Sequence, residues 1–141
     1  MIMKPLLYAV AIMATMLFAS SCEETIMDGA WDPIELDKSH VNFPKEGGQN
    51  TVSALNYTRW WINGGYETSP QQYVHATSSE GEEAYTYDVL DGGWYHVLVP
   101  DKGKSNTVII TVDPHDDTKP RHATIEMQAG DAFAQFTISQ Q

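Results

Sequence analysis

From Arg121 to Ser139 the chain alternates between two kinds of side chain for almost its whole length. Ala123, Ile125 and Met127 interleave with His122, Thr124 and Glu126, and Ala132, Ala134, Phe136 and Ile138 interleave with Phe133, Gln135, Thr137 and Ser139. A period of two places one set on each side of a strand, so each run has an apolar and a mostly polar face. Closing the two runs over Ala129-Gly130 predicts an antiparallel hairpin with Gln128 opposite Asp131, Met127 opposite Ala132 and Ala123 opposite Phe136. A slip of one residue would mix the faces, so the pattern restricts the register. An apolar sheet face needs a second layer to cover it.

The same logic extends upstream. Thr107 to Asp113 puts Val108, Ile110 and Val112 on one face. Turn signals recur at Glu46-Gly47-Gly48, Asn63-Gly64-Gly65, Glu80-Gly81, Asp91-Gly92-Gly93, Asp101-Lys102-Gly103 and Asp116 to Pro120. No window after Cys22 has a helical apolar period. Short half-buried strands at this spacing predict two packed sheets, an all-β sandwich. Segment 63–93 is long for one connection, and a structureless loop of that length is improbable in a compact domain. Pairing Val74 with Tyr87 and Ala76 with Tyr85 over Glu80-Gly81 predicts an inserted hairpin, with Tyr73, His75, Thr86 and Asp88 on its polar face.

Ahead of the strands lies a different kind of segment. Lys4 precedes an apolar run from Pro5 to Ala19. Fifteen residues fall short of the ~20 that a helix needs to cross a bilayer, and suit the core of a signal peptide. Ala19-Ser20-Ser21-Cys22 resembles the lipobox of bacterial lipoproteins, which implies cleavage before Cys22 and lipid on its thiol; Ala19 stands where Leu is usual. Glu23-Glu24 directly behind it resembles the surface-export signal of Bacteroidetes lipoproteins. The expected organisation is a signal peptide over 1–21, an acidic tether over 22–32 and one domain over 33–141. The expected location is the outer membrane, lipid-anchored, at the cell surface.

Charge narrows the partners. Eight Lys and Arg against 19 Asp and Glu leave a net charge of −11, which disfavours nucleic acid. With one cysteine, the chain has no internal disulfide or cysteine-based metal cluster. The five histidines form no HExxH-like pair, and the Asp113 to Asp117 cluster reads as a polar turn. No catalytic residue, metal ligand or cofactor site is assigned, and no enzymatic activity is expected.

An ordered set of motifs resembles the BACON domain (Bacteroidetes-associated carbohydrate-binding often N-terminal). The set comprises Val41-Asn42-Phe43-Pro44-Lys45-Glu46-Gly47-Gly48, Trp60-Trp61-Ile62, Trp94-Tyr95, Gly103 to Asn106, Val108 to Val112, Arg121 to Ile125 and Phe136 to Gln140. The resemblance implies an immunoglobulin-like sandwich and a noncatalytic module that binds glycan or mucin-like ligands. Such modules serve equally as spacers or accessory subunits against envelope proteins. The 63–93 insertion and Asp113-Pro114-His115 depart from the family pattern.

Strand parity sorts the aromatic residues. Trp60 and Ile62 belong in the core, with Trp61 either outside or beneath the insertion; Tyr95, Val97 and Val99 belong in the core, with Trp94 facing away. Trp61, Tyr66, Tyr73, His75 and Trp94 are therefore the candidate ligand-binding residues, since glycan sites combine aromatic platforms with a few placed polar groups.

Overall fold

A computed structural model describes residues 31–68, 72–81 and 86–141. The signal peptide, Cys22 and Tyr85 lie outside the described residues. The described chain is almost entirely β. Its strands are β1 (His40–Phe43), β2 (Gly48–Ser53), β3 (Trp61–Tyr66), β4 (Val74–His75), β5 (Val89–Asp91), β6 (Tyr95–Leu98), β7 (Thr107–Val112), β8 (Arg121–Ala129) and β9 (Ala132–Gln140). A one-turn element at Pro100–Gly103 joins β6 to β7, with Asp101 and Lys102 in the left-handed region.

The strands form a five-stranded sheet of order β1-β9-β8-β3-β4 and a four-stranded sheet of order β2-β7-β6-β5. Their apolar faces pack as a sandwich of immunoglobulin type. Val52, Val97, Val108 and Ile110 from one sheet, with Ile62, Ile125, Met127, Phe136 and Ile138 from the other, are all buried. Trp60 and Tyr95, the largest fully buried side chains, lie in the same core. β1 runs parallel to β9, and Pro44 follows it at once. Proline lacks the N–H that would continue a ladder, and the chain crosses to the other sheet as β2.

The β8–β9 hairpin keeps the expected faces but shifts register by two. Ala129 pairs with Ala132, Met127 with Ala134, Ile125 with Phe136 and Ala123 with Ile138. The turn is Gly130-Asp131, not Ala129-Gly130. Gly130 has φ 57° and Asp131 is not in the positive region, the φ pattern of a type II′ turn led by glycine. An even shift leaves every side chain on its own face, so hydrophobic pattern alone cannot distinguish the two registers. The glycine position decides.

Segment 63–93 differs more. Val74 and His75 pair with Gly65 and Gly64 of β3, not with the residues around Tyr87. Thr77 bridges Val89 instead, through Thr77 N–H to Val89 O at 2.7 Å and Val89 N–H to Thr77 O at 3.0 Å. β4 belongs to the five-stranded sheet and β5 to the four-stranded one, so this bridge closes one side of the sandwich. Asp88, expected on a polar face, is buried. Its carboxylate accepts from the Ser79 N–H at 2.8 Å and from the Ser79 hydroxyl. A buried carboxylate that holds a turn, together with free backbone groups on the β3 edge, outweighs the alternation that a freestanding hairpin would satisfy. Tyr87 is correspondingly exposed rather than on an apolar inner face.

The compact unit runs from Trp31 to Gln141. Trp31 stacks on Tyr57 with ring centroids 6.4 Å apart, and the Tyr57 hydroxyl donates to Asp32 O. The Asn56 side chain accepts from Glu35 N–H and donates to Pro33 O.

Candidate functional site

The polar face of β8 looks outward from the five-stranded sheet. Glu126 and Gln128 lie there, beside Phe133 and Gln135 of β9. β3 is bulged: Ile62 pairs with Met127 but Gly64 pairs with Glu126, which leaves Asn63 as an extra residue. A bulge kinks its strand and re-aims the extra side chain. Asn63-Gly64-Gly65 is thus the middle of a strand, not the turn expected from its composition.

Asn63 lines two adjoining hollows on this face. One, of about 510 Å³, is bounded by Asn63, Tyr73, His75, Ala76, Tyr87 and Gln128. The other, of about 330 Å³, is bounded by Asn63, Glu126, Met127, Phe133, Ala134 and Gln135. Gly64 makes the first possible. A Cβ there would sit 2.2 Å from Val74 O and 2.6 Å from the Tyr73 ring, so only glycine lets β4 and Tyr73 approach so closely.

Within the face, the Tyr73 hydroxyl donates to Glu126 Oε2 at 2.9 Å. Tyr73 meets His75 edge to face at 4.9 Å, and Tyr66 lies 6.4 Å from Tyr73. Burial, then the hydrogen bond to Glu126, push the Tyr73 phenol far above its ordinary pKa, so it stays a donor. The Gln128 amide donates to Gly130 O at 2.8 Å. Asn63, His75, Tyr87 and Gln135 make no side-chain hydrogen bond to another described residue and present free donors and acceptors to the hollows. The face thus combines aromatic surface from Tyr73, His75, Tyr87 and Phe133 with the Asn63 and Gln135 amides, which have no partner among the described residues. Phe133 is 63% exposed.

Of the five residues selected from sequence, Tyr66, Tyr73 and His75 come together here. Trp61 and Trp94 do not join them. Half-buried Trp61 lines a separate cleft of about 440 Å³ at one end of the sandwich, with Trp31, Tyr57, Arg59 and the core residue Trp60. Trp94 is held elsewhere: its Nε1 donates to Glu67 Oε1 at 2.6 Å, and the Arg121 guanidinium lies 4.4 Å from its ring centroid. Trp61 pairs with Gln128, seven residues along β8 from Arg121, roughly 23 Å at 3.3 Å per residue. The two tryptophans therefore cannot form one platform. Sequence reasoning missed Asn63, Glu126, Gln128, Phe133 and Gln135 as site residues. Only the outward parity of β8 and β9 signalled four of them, and Asn63 reaches the face through a bulge.

Other polar clusters are local. His96 lies 3.3 Å from carboxylate oxygens of both Asp91 and Asp113. His40 meets Thr137 and Ser139 across the β1–β9 pair. Among the described residues, no group of three or more His, Cys, Asp or Glu is arranged to hold a metal ion, and no helix is long and apolar enough to cross a membrane.

Fold and face together define an all-β sandwich with a hollowed outer sheet surface. No protein-family model matches the chain, and no curated protein matches it. Among solved structures it is similar to a protein from Bacteroides thetaiotaomicron determined by NMR. The identity is 26%, the TM-score is 0.56, and the match covers 84% of this chain and 95% of that one. That likeness supports the sandwich fold.

Proposed function

We propose that this chain is a noncatalytic, lipid-anchored glycan-binding module of the cell surface, similar in kind to BACON domains. The observation that carries the reading is the pair of hollows centred on Asn63. They offer ring faces for stacking on sugar C–H surfaces and the Asn63 and Gln135 amides for sugar hydroxyls. The site is relocated from the tryptophans to Asn63, Tyr73, His75, Tyr87, Gln128, Phe133 and Gln135. The anchor rests on Cys22 and the segment before it, so metabolic lipid labelling should mark the wild type and not Cys22→Ser.

Binding is tested by screening the mature chain, residues 22–141, on a glycan array and titrating each hit by calorimetry. His75→Ala and Phe133→Ala should each weaken a hit at least fivefold. Absence of any hit at millimolar ligand would favour the alternative role, a spacer or accessory subunit that contacts an envelope protein.

A further inference from the structure

Resting on the glycan-binding reading, we infer that the ligand is an uncharged glycan segment laid across the strands, with more than one sugar ring in contact and anionic sugars rejected. Two features of the face support this. The first is its charge. Among the described residues that bound the two hollows, Glu126 is the only carboxylate, and none is Lys or Arg. Its hydrogen-bond partner on this face, the Tyr73 hydroxyl, is a neutral donor on Oε2 and brings no positive charge. His75 lies against Tyr73 rather than against Glu126. With a formal charge of −11 over the whole chain, the surrounding field has the same sign as Glu126. A uronate or sulfate placed in the second hollow would meet a like charge with no cation to pair with.

The second feature is extent. Asn63 belongs to both hollows, so they adjoin at its side chain. His75 of β4 bounds one end, Gln135 of β9 the other, with β3 and β8 between. Three interstrand gaps at ~4.8 Å give roughly 14 Å, room for more than one pyranose ring. The aromatic groups are distributed in the same way, with Tyr73, His75 and Tyr87 in one hollow and Phe133 in the other. Each hollow can therefore stack one ring while the Asn63 amide lies between them.

The experiment compares ligands of matched length and opposite charge on the mature chain. The neutral probes are cellohexaose, xylohexaose and mannohexaose; the anionic probe is hexagalacturonate; the short probe is the disaccharide of whichever hexasaccharide binds best. The expected result is calorimetric binding of at least one neutral hexasaccharide, with hexagalacturonate weaker by about tenfold or more in 20 mM salt. One like charge within ~4–6 Å, screened almost as in water, lowers affinity several-fold, and partial desolvation increases the effect. The gap should narrow in 0.5 M salt and in Glu126→Gln. The disaccharide should bind at least tenfold more weakly than its hexasaccharide, and Phe133→Ala should reduce that length dependence. Hexagalacturonate binding as tightly as the neutral probes would overturn the charge inference while preserving the glycan reading. Equal affinity for disaccharide and hexasaccharide would overturn the two-hollow geometry. Failure of all the hexasaccharides to bind would overturn the glycan reading itself.

Discussion

Gln140 has a side chain that is fully buried and fully used. Its Oε1 accepts from Arg121 Nε at 2.8 Å, and its Nε2 donates to Pro44 O and Asp113 O, each at 2.9 Å. One amide thus ties the end of β9 to the crossover after β1 and to the loop after β7. Gln140→Ala removes these three bonds and a longer one from Nε2 to Lys45 O at 3.4 Å. Each neutral bond contributes about 1 kcal/mol net, and the bond from a partly exposed arginine a similar amount after solvent screening. The expected loss is about 3 kcal/mol. For a domain of this size, that lowers the thermal midpoint by roughly 10–15 °C. Guanidinium denaturation of the mature chain, followed by tryptophan fluorescence and by circular dichroism, measures it. Gln140→Glu retains an acceptor for Arg121 but sets a carboxylate against two carbonyl oxygens, so it should lose at least as much at pH 7. A loss below ~1 kcal/mol for Gln140→Ala, with an unchanged denaturant slope, would refute the view that this amide holds the two loops to the end of β9.

Three further outcomes follow from particular contacts. Gly64→Ala drives a methyl group into Val74 O and the Tyr73 ring; it should cost about 1–3 kcal/mol, speed amide exchange at Val74 and His75, and abolish glycan binding while the core stays folded. Trp94→Ala removes the ring between Glu67 and Arg121; stability should fall by about 2–3 kcal/mol with ligand affinity unchanged within twofold, as titration of the folded variant would show. Burial raises the pKa of Tyr95, so its proton is retained in the folded state after the unfolded chain has lost it above pH ~10. Stability present below pH 10 should therefore decline above it, by up to ~1.4 kcal/mol per pH unit. Urea midpoints from pH 9 to 11 and phenolate absorbance check this, and Tyr95→Phe should reduce the slope to the part that the raised Tyr73 contributes.

The alternating runs from Thr107 onward were enough to specify strands, faces and a two-sheet sandwich, because face assignment depends only on residue order along a strand. Val108, Ile110 and Val112 are buried as their period requires, as are Ala123, Ile125, Met127, Phe136 and Ile138. The parity argument held for Trp60, Trp61 and Tyr95, but not for Trp94: it stands just before β6, packs against the core beside the Tyr95 ring and reaches across to Glu67 and Arg121 at the other sheet instead of facing away. Tertiary structure alone decided what required distant partners. The hairpin register turned on where a positive φ fits, the course of segment 63–93 on the free edge of β3 and the buried Asp88, and the separation of Trp61 from Trp94 on the length of β8. Asn63 reaches the centre of the candidate site only because a bulge in β3 is matched against an unbulged β8. Alternation reports which way a side chain faces. It carries no information on which strand lies beside it, and a binding surface is built from those neighbours.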